Sequence, residues 1–290
     1  MNDLQRSGLQ AIASGRIYVQ DRGPVDTGCV PVLLVHGYLV THYEWRVVVQ
    51  DLAGDRRVIA PDLPGCGESD RPPPHEAHDY SFPWLAESLL DVLDVLKLDR
   101  VDVVAHSMGG TVAICLAEQA PLRVRKLVLV DPSCFTMPLP LEGRIALLPG
   151  IGQFVFRSLY RRADLRRYMA RVYSTPELLD ERAIDIYWDR LAREGGRDAA
   201  LAMLRQLANL DHMRERFKAI TMPTLVVWGD RDRIIVPELG DRLVELLPNA
   251  ILRTIEGCGH AANEERPEAL LPLIREHLDG SRELEVLRGS

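Results

Sequence analysis

Long apolar runs are missing from this sequence. No stretch approaches the roughly 18 consecutive apolar residues that a membrane-spanning helix requires. The first residues also lack the basic and then apolar pattern of a secretory signal peptide. Both absences argue against a membrane-spanning or exported protein, and we therefore expect a cytoplasmic one.

Cysteine is scarce and irregularly placed. The five cysteines, at positions 29, 66, 115, 134 and 258, show no C-x-x-C spacing, so we expect neither a disulfide framework nor a zinc site. Repeats of solenoid length and low-complexity tracts are missing as well. The chain has 290 residues, of which 47% are hydrophobic and 27% charged, and this is typical of an ordinary globular protein with one large domain and an insertion.

Basic residues are in the minority. The 35 lysines and arginines stand against 42 aspartates and glutamates, for a net charge of −7, and because nucleic acid binding needs a basic face, we expect no such partner. The segment 157–171 departs from this balance, since it holds six arginines and one acid, Asp164. It predicts either contact with an anionic membrane surface or acidic partner, or a solvated face paired with acidic side chains, which we favour. The six are Arg157, Arg161, Arg162, Arg166, Arg167 and Arg171.

Short apolar runs predict six strands, which alternate with helical patterns. The strands are predicted at residues 30–36, 57–61, 101–106, 126–131, 224–229 and 250–256, and helices at 42–52, 84–96 and 108–120. This alternation predicts an α/β fold with a doubly wound, mostly parallel sheet, in which ligands bind at the carboxyl ends of the strands. Pro272 predicts a kinked or shortened helix at 267–278, and the charged end, 280–290, predicts a loosely held tail.

The alternation stops between Ser133 and about Ala219, where prolines and glycines lead into helical patterns without a convincing strand. We interpret residues 133–219 as a helical cap inserted into a core made of residues 1–132 and 220–290. Such a cap would line a substrate pocket over the crevice with apolar side chains, each of which fits the cap's own core at least as well. They are Phe135, Met137, Leu148, Phe154 and Phe156.

Ser107 lies where an apolar β-branched run ends and a small-residue helix begins. A tight turn from strand to helix strains the serine backbone, lifts its hydroxyl above the sheet edge and points the first N–H groups of the helix at the group under attack. The motif is A-x-S-x-G, with Ala105 in place of the first glycine of G-x-S-x-G. Ser107 is a candidate nucleophile, although a serine after a strand is also a common helix cap.

Two further side chains follow the last two predicted strands and complete a candidate catalytic set. His260 lies in a glycine-containing loop from which an imidazole can fold back and take the serine proton. Asp232 can accept the other imidazole N–H and so orient the ring. Asp230 and Asp131 compete for this acid role; we expect Asp230 to brace its turn through backbone N–H groups and Asp131 to cap the end of its strand.

A His-Gly turn follows the first predicted strand and suits an oxyanion hole. Gly37 permits a sharp turn, after which the backbone N–H of Tyr38 or Leu39, together with that of Met108, can face a developing negative oxygen. The sequence leaves the choice between Tyr38 and Leu39 open.

We expect structural roles for the other histidines near these motifs. We expect His36 to be a hydrogen-bonded residue that holds its own loop, and His106 to form a wall of the pocket rather than a base. The proline- and glycine-containing stretch 61–70 is interpreted as a rigid scaffolding turn.

Taken together, these motifs resemble the α/β-hydrolase superfamily from residue 36 to residue 260. The stretch 105–110, AHSMGG, is similar to the elbow of esterases and lipases, 229–237, GDRDRIIVP, to the acid loop of the family, and 259–268, GHAANEERPE, to its histidine loop. The resemblance implies Ser107 as nucleophile, Asp232 as acid and His260 as base, with a helical cap before the acid loop. Dehalogenases and epoxide hydrolases of this superfamily use an aspartate at the position of Ser107. Carbon–carbon bond hydrolases often have asparagine at the position of His106.

On these grounds we expect a carboxylic-ester hydrolase that acts on small or medium apolar substrates through an acyl-serine intermediate and needs no metal or organic cofactor. Three alternatives stay open. One is a carbon–carbon bond hydrolase of vinylogous diketones, or another acyl-transfer or perhydrolase activity, since the same machinery serves them. A second is a non-catalytic protein that binds a small ligand. The third is an enzyme of lipid surfaces that uses its arginine-rich cap.

Overall fold

The computed structural model describes residues 6–75, 77–139 and 141–280. Within these residues the strands are β1 (Gly8–Ile12), β2 (Gly15–Arg22), β3 (Val32–Val35), β4 (Val58–Pro61), β5 (Val101–His106), β6 (Val124–Val130), β7 (Thr224–Gly229) and β8 (Ala250–Ile255). They form one sheet in the order β1-β2-β4-β3-β5-β6-β7-β8. β1 and β2 pair antiparallel, as do β2 and β4, and the other neighbours pair parallel. The mostly parallel sheet is as predicted.

The six predicted strands correspond to β3–β8, with ends that differ by up to two residues. Sequence analysis missed β1 and β2. In β2 only alternate positions are buried, and of these Ile17 and Val19 are apolar, while β1 contains no buried residue. Antiparallel strands near the end of a sheet, such as these two, have one solvent-exposed face and therefore carry a weak apolar signal.

Helices cover both faces of the sheet. They are α1 (Arg46–Leu52), α2 (Phe82–Val95), α3 (Met108–Gln119), α4 (Leu141–Ala146), α5 (Ile151–Phe154), α6 (Arg162–Val172), α7 (Glu181–Ala192), α8 (Gly196–Leu207), α9 (Arg214–Phe217), α10 (Glu238–Leu246), α11 (Ala262–Glu265) and α12 (Pro267–Asp279). Successive side chains of β5 point to opposite faces of the sheet. Val103 belongs to a hydrophobic cluster that includes residues of α2, α3 and α10, whereas Val104 belongs to a second cluster that includes residues of α1 and α12. The sheet is therefore doubly wound.

The termini of the predicted helices differ only slightly from those observed. The first begins with a 3₁₀ turn, His42–Trp45, before α1. Ser81 caps α2 as expected, because its side chain accepts a hydrogen bond from the Trp84 N–H. Helix α12 continues to Asp279 with Pro272 inside it, so the proline does not shorten this helix. The predicted tail, beyond residue 280, lies outside the described residues.

Between β6 and β7 the described chain is helical and contains no strand. Besides α4–α9 it includes a π-helical turn, Val155–Leu159, and two short 3₁₀ turns. The division into a core and a cap at residues 133–219 stays an interpretation, and we call this segment the cap. None of the helices in the described part of the chain is both long and apolar enough to cross a membrane.

Candidate active site

Ser107 occupies a strained turn between β5 and α3. Its φ of 51° lies in the left-handed region, which a residue with a side chain adopts only when its surroundings enforce it. Two residues later, a Cβ on Gly109 would overlap the backbone carbonyl oxygens of Val35 and His36. Glycine at that position lets α3 approach β3 closely, and this approach holds the turn and its serine at the edge of the sheet.

The structure brings Ser107, His260 and Asp232 together from three separate loops. The Ser107 Oγ lies 2.9 Å from the His260 Nε2, and the His260 Nδ1 lies 2.7 Å from the Asp232 Oδ2. All three side chains are at most 7% exposed. The backbone N–H of His260 donates to the carbonyl of Val172 in α6, at 2.7 Å, so the cap helps to hold the histidine loop. With Nδ1–H donating to the carboxylate, Nε2 is the nitrogen that can take the serine proton.

The loop after β7 presents Asp232, and not Asp230, to the histidine. The Oδ1 of Asp232 accepts the N–H groups of Ile234 and Ile235, at 2.7 and 2.9 Å, which fixes the rotation of the carboxylate. Asp230 instead accepts the N–H of Cys258, at 3.2 Å. Asp230 thus accepts a backbone N–H group, as expected, but this contact joins the loop after β7 to the loop after β8 rather than bracing its own turn.

Asp131, the third aspartate considered, lies beside this pair at the end of β6. Its Oδ1 accepts the N–H of Gly229, at 2.8 Å, and its Oδ2 has no hydrogen-bond partner in the described part of the chain. Burial and the neighbouring Asp232 raise the pKa of Asp131 well above its usual range. The raised pKa favours the protonated form of Asp131, and its carboxyl group makes no hydrogen bond to His260 among the described residues.

One group of possible metal ligands occurs in the described residues, and it is this same cluster. One ligand atom each from Asp131, Asp232 and His260 lies within 4.8 Å of the others. The His260 Nδ1 and the Asp232 Oδ2 are hydrogen-bonded to each other, and the Asp131 Oδ1 accepts the Gly229 N–H. These donors are already engaged, so their arrangement is that of a proton relay and fits a metal ion poorly.

The candidate oxyanion-hole residues surround the serine. Tyr38 and Leu39 line the same cavity as Ser107, and Met108 begins α3 directly after it. Within residues 6–75, 77–139 and 141–280, the amides of Tyr38, Leu39 and Met108 donate no hydrogen bond, so the choice between Tyr38 and Leu39 stays open. These amides are free to bind an oxygen of a ligand.

The two other histidines near the site are buried, and they differ in charge. His36 accepts the Leu63 N–H at Nε2, at 3.0 Å, and lies 2.8 Å from the Gly37 carbonyl through Nδ1. Burial lowers its pKa, so it is neutral and holds its own loop as predicted. His106 does not line the cavity; its Nδ1 lies 3.0 Å from the Oε2 of Glu44. The expectation of a pocket wall is wrong for His106, because its ring is held between Glu44 and the His260 carbonyl oxygen instead.

An apolar cavity of about 460 Å³ opens above Ser107, a size typical of sites for small molecules. Of the predicted lining residues, Phe135, Met137 and Phe156 do line it. Leu148 and Phe154 do not, and they are 46% and 63% exposed. Other apolar residues of the lining include Ile145, Ala146, Val155, Leu159, Leu204 and Ile235.

Sequence analysis missed Ser133 as a site residue. Its hydroxyl lies 3.4 Å from the Ser107 Oγ, and its backbone N–H donates to the Ser107 carbonyl, at 3.0 Å. It also lines the cavity. A serine that follows an Asp-Pro pair has no distinguishing pattern; its position after β6, the strand beside β5, is the one signal that points to the site.

Most arginines of the segment 157–171 are paired with carboxylates of the cap. Arg162 pairs with Glu181 and Asp185, at 2.9 and 2.6 Å, and Arg167 pairs with Asp164, at 3.1 Å. Arg157 and Arg166 are also paired. Arg171 forms no ion pair among the described residues, and it lines the cavity together with Arg167.

Comparison with known proteins agrees with this architecture. The family model described as "alpha/beta hydrolase fold" matches residues 30–267. A curated relative from Cupriavidus pinatubonensis, named 2-hydroxy-6-oxononadienedioate/2-hydroxy-6-oxononatrienedioate hydrolase, is 34% identical over 91% of this chain and 90% of its own length. A second, from Pseudomonas putida and named 2-hydroxy-6-oxo-2,4-heptadienoate hydrolase, is 30% identical over 86% and 88%.

Among solved structures, Cfl2 from Burkholderia cenocepacia superposes with a TM-score of 0.82. It is 26% identical, and the match covers 94% of this chain and 95% of Cfl2. The core and the helices between β6 and β7 are thus similar to those of a known structure over nearly the whole length.

Proposed function

Because the chain belongs to the alpha/beta hydrolase fold family, we propose that it is a serine hydrolase with Ser107 as nucleophile, His260 as general base and Asp232 as the group that orients His260. One observation carries the proposal: an unbroken hydrogen-bond path runs from the Ser107 hydroxyl through His260 to the Asp232 carboxylate. The Ser107 end of this path lies in the lining of the apolar cavity. Hydrolase chemistry follows from the family, whereas the assignment of each residue is our proposal.

In the proposed reaction, Ser107 transfers its proton to His260 as its oxygen attacks a carbonyl carbon. The resulting oxyanion binds the N–H of Met108 and that of Tyr38 or Leu39. When the tetrahedral intermediate collapses, the leaving group takes the proton from His260 and an acyl-serine remains. Water then attacks the acyl-serine by the same route and releases the carboxylic acid.

For the substrate, we propose an unsaturated keto acid that is cleaved at the carbon–carbon bond next to its ketone. The support comes from the relatives whose names describe hydrolases of oxo-dienoate compounds. In such a vinylogous diketone the electron pair of the broken bond is delocalised along the conjugated chain, so carbon can act as the leaving group. Hydrolysis adds the hydroxyl group of water to the acyl carbon, which becomes a carboxylic acid, and the remaining hydrogen of water to the carbon that leaves.

The polar rim of the cavity supports a substrate with a carboxylate. Arg171 lines the cavity without an ion-pair partner among the described residues. The other charged lining residues are Glu142 and the paired Arg167 and Asp164, and the rest of the lining is mainly apolar. A substrate with a conjugated apolar chain and one anionic end would place that end near Arg171.

Ester hydrolysis is the second candidate, because this chain has His106 where carbon–carbon bond hydrolases often have asparagine. The two reactions share the nucleophile, the base and the oxyanion hole. They differ in the leaving group, which is an alkoxide in one case and a delocalised carbanion in the other.

The experiment compares turnover of a vinylogous diketo acid, followed by loss of its conjugated absorbance, with turnover of p-nitrophenyl esters of increasing acyl length. We expect a higher kcat/KM for the diketo acid than for the esters. We expect Ser107→Ala to lower turnover of both substrate classes by several orders of magnitude. Ser88→Ala, which removes a buried serine hydroxyl that donates to the Leu85 carbonyl within α2, is the matched control and should keep the parent activity. Preference for esters would establish the second candidate, and a Ser107→Ala variant as active as the parent would refute the serine mechanism.

A further inference from the structure

A buried ion pair lies directly beneath the candidate active site. His106 ends β5 and is 4% exposed, and Glu44 lies in the 3₁₀ turn before α1 and is 1% exposed. The His106 Nδ1 is 3.0 Å from the Glu44 Oε2. Neither side chain belongs to the proposed Ser107–His260–Asp232 set.

This pair touches two loops of the site at once. The Glu44 Oε1 accepts the backbone N–H of Gly37, at 3.0 Å, and Gly37 begins the loop that carries Tyr38 and Leu39. On the other side, the His106 Nε2 lies 2.8 Å from the backbone carbonyl oxygen of His260. One chain of contacts thus joins the candidate oxyanion loop to the candidate base.

The partners determine the protonation state of His106. A carboxylate oxygen and a carbonyl oxygen are both acceptors, so each ring nitrogen must carry a hydrogen and the ring must be an imidazolium. Burial alone would lower the pKa of His106, but the attraction of Glu44 outweighs it and the pKa lies at about 9.

Of the groups that face the ring, Glu44 is the hydrogen-bonded counter-ion. Asp131, at the end of β6, also raises the pKa of His106, to a smaller extent than Glu44; its own pKa is raised, which favours its protonated form. The His260 ring lies with its centroid 5.0 Å from that of His106, and the indole of Trp45 is uncharged. A charge on His106 therefore depends chiefly on Glu44.

We propose that Glu44 and His106 are positioning residues, whose ion pair holds the Gly37 loop and the backbone of His260 at the separation that Ser107 chemistry requires. The inference rests on the proposed function, since it gives the pair a role in that reaction. Displacement of a reacting group by about 1 Å can cost about a hundredfold in rate. When His106 loses a proton, only one of its ring nitrogens can still donate a hydrogen bond. Either the contact with Glu44 or the contact with the His260 carbonyl oxygen is then lost.

Two substitutions separate this role from simple packing. In Glu44→Gln, the Gly37 N–H still needs an oxygen, so the amide NH₂ faces the His106 Nδ1 and the ring becomes neutral with its Nε2–H still donated to His260. This variant keeps the contacts and removes the charge. In Glu44→Ala, both the Gly37 N–H and the His106 Nδ1 lose their partner.

The test measures kcat and KM of the parent, both variants and His277→Gln between pH 6 and pH 10.5. His277 is a partly buried histidine of α12, remote from the site, that contacts the Pro223 carbonyl, and its variant is the matched control. We expect kcat of the parent to fall above about pH 9, this fall to be absent in Glu44→Gln, and Glu44→Ala to lose about tenfold or more in kcat with a smaller change in KM. His277→Gln should keep the profile of the parent.

Nitrogen NMR of the His106 ring provides a readout that does not depend on turnover. We expect two N–H groups at pH 7.5 in the parent and one in Glu44→Gln. A singly protonated ring in the parent, an unchanged alkaline fall in Glu44→Gln, or full kcat in Glu44→Ala would overturn the proposal. Failure of a fluorophosphonate probe to label Ser107 of the parent would refute the proposed function instead, and would reduce the pair to a structural one.

Discussion

Substitution of Asp232 by asparagine should disable the site through the wrong tautomer of His260. The Oδ1 of Asp232 accepts two backbone N–H groups, from Ile234 and Ile235, so the oxygen of an asparagine must stay at that position. Its NH₂ group must then face the His260 Nδ1, which becomes an acceptor. The ring hydrogen moves to Nε2, the nitrogen 2.9 Å from the Ser107 hydroxyl, and Nε2 can no longer take the serine proton.

The expected loss in kcat is about 10⁴-fold, the size found for this change in Ser-His-Asp hydrolases. It corresponds to about 5.5 kcal/mol of transition-state stabilisation. Because asparagine has the shape of aspartate and keeps the two backbone contacts, KM and the melting temperature should change little.

The assay is steady-state turnover of the better substrate class at pH 7.5, with a thermal melt of each protein. Asp230→Asn is the matched control, since Asp230 lies in the same loop and contacts the Cys258 N–H rather than the histidine; its kcat should stay within a few-fold of the parent. An Asp232→Asn variant that retains a tenth or more of the parent kcat would show that the tautomer argument is incorrect.

Three further predictions concern stability. Gly109→Ala should lower the free energy of unfolding by about 1–3 kcal/mol, because its Cβ would overlap a carbonyl of β3; Gly8→Ala, where a Cβ meets nothing within 4 Å, should be near neutral in the same urea titration. Arg46→Ala should cost about 3–5 kcal/mol, since it leaves the buried carboxylate of Glu264 without its ion-pair partner, and an unchanged urea midpoint would contradict this. Burial lowers the pKa of His277 to about 4; between pH 4 and 6.5 the unfolded chain therefore binds more protons, so stability should fall by about 1–3 kcal/mol as pH drops through this window. His277→Gln should flatten that part of the stability profile, and an equal slope in both proteins would contradict the assignment.

The proposed catalytic side chains could be found from the sequence because each follows a strand of the parallel part of the sheet. Runs such as Val101–His106 and Thr224–Gly229 are apolar and β-branched on both faces, which is the signature of a central parallel strand. Parallel strands end at one edge of the sheet, so polar residues after them converge there. This reasoning predicts Ser107, Asp232 and His260 without any knowledge of distances.

The same reasoning failed where the signal depends on partners distant in the chain. Glu44 appears in the sequence as one more acid on a helix, and its burial became visible only once Gly37 and His106 were placed around it. Ser133 gave no sign that its hydroxyl meets that of Ser107. Likewise Leu148 and Phe154 are apolar residues of the cap that stay exposed.

Local sequence determined the six strands β3–β8, the helices between them and the edge of the sheet that carries polar residues, because periodicity and turn residues act over a few neighbouring positions; it did not reveal β1 and β2. Tertiary structure alone decided the raised pKa values of His106 and Asp131 and the shape of the cavity. Charge states and cavities arise from burial and from atoms contributed by loops that are up to about 150 residues apart, as His106 and His260 are. No local pattern encodes such distances.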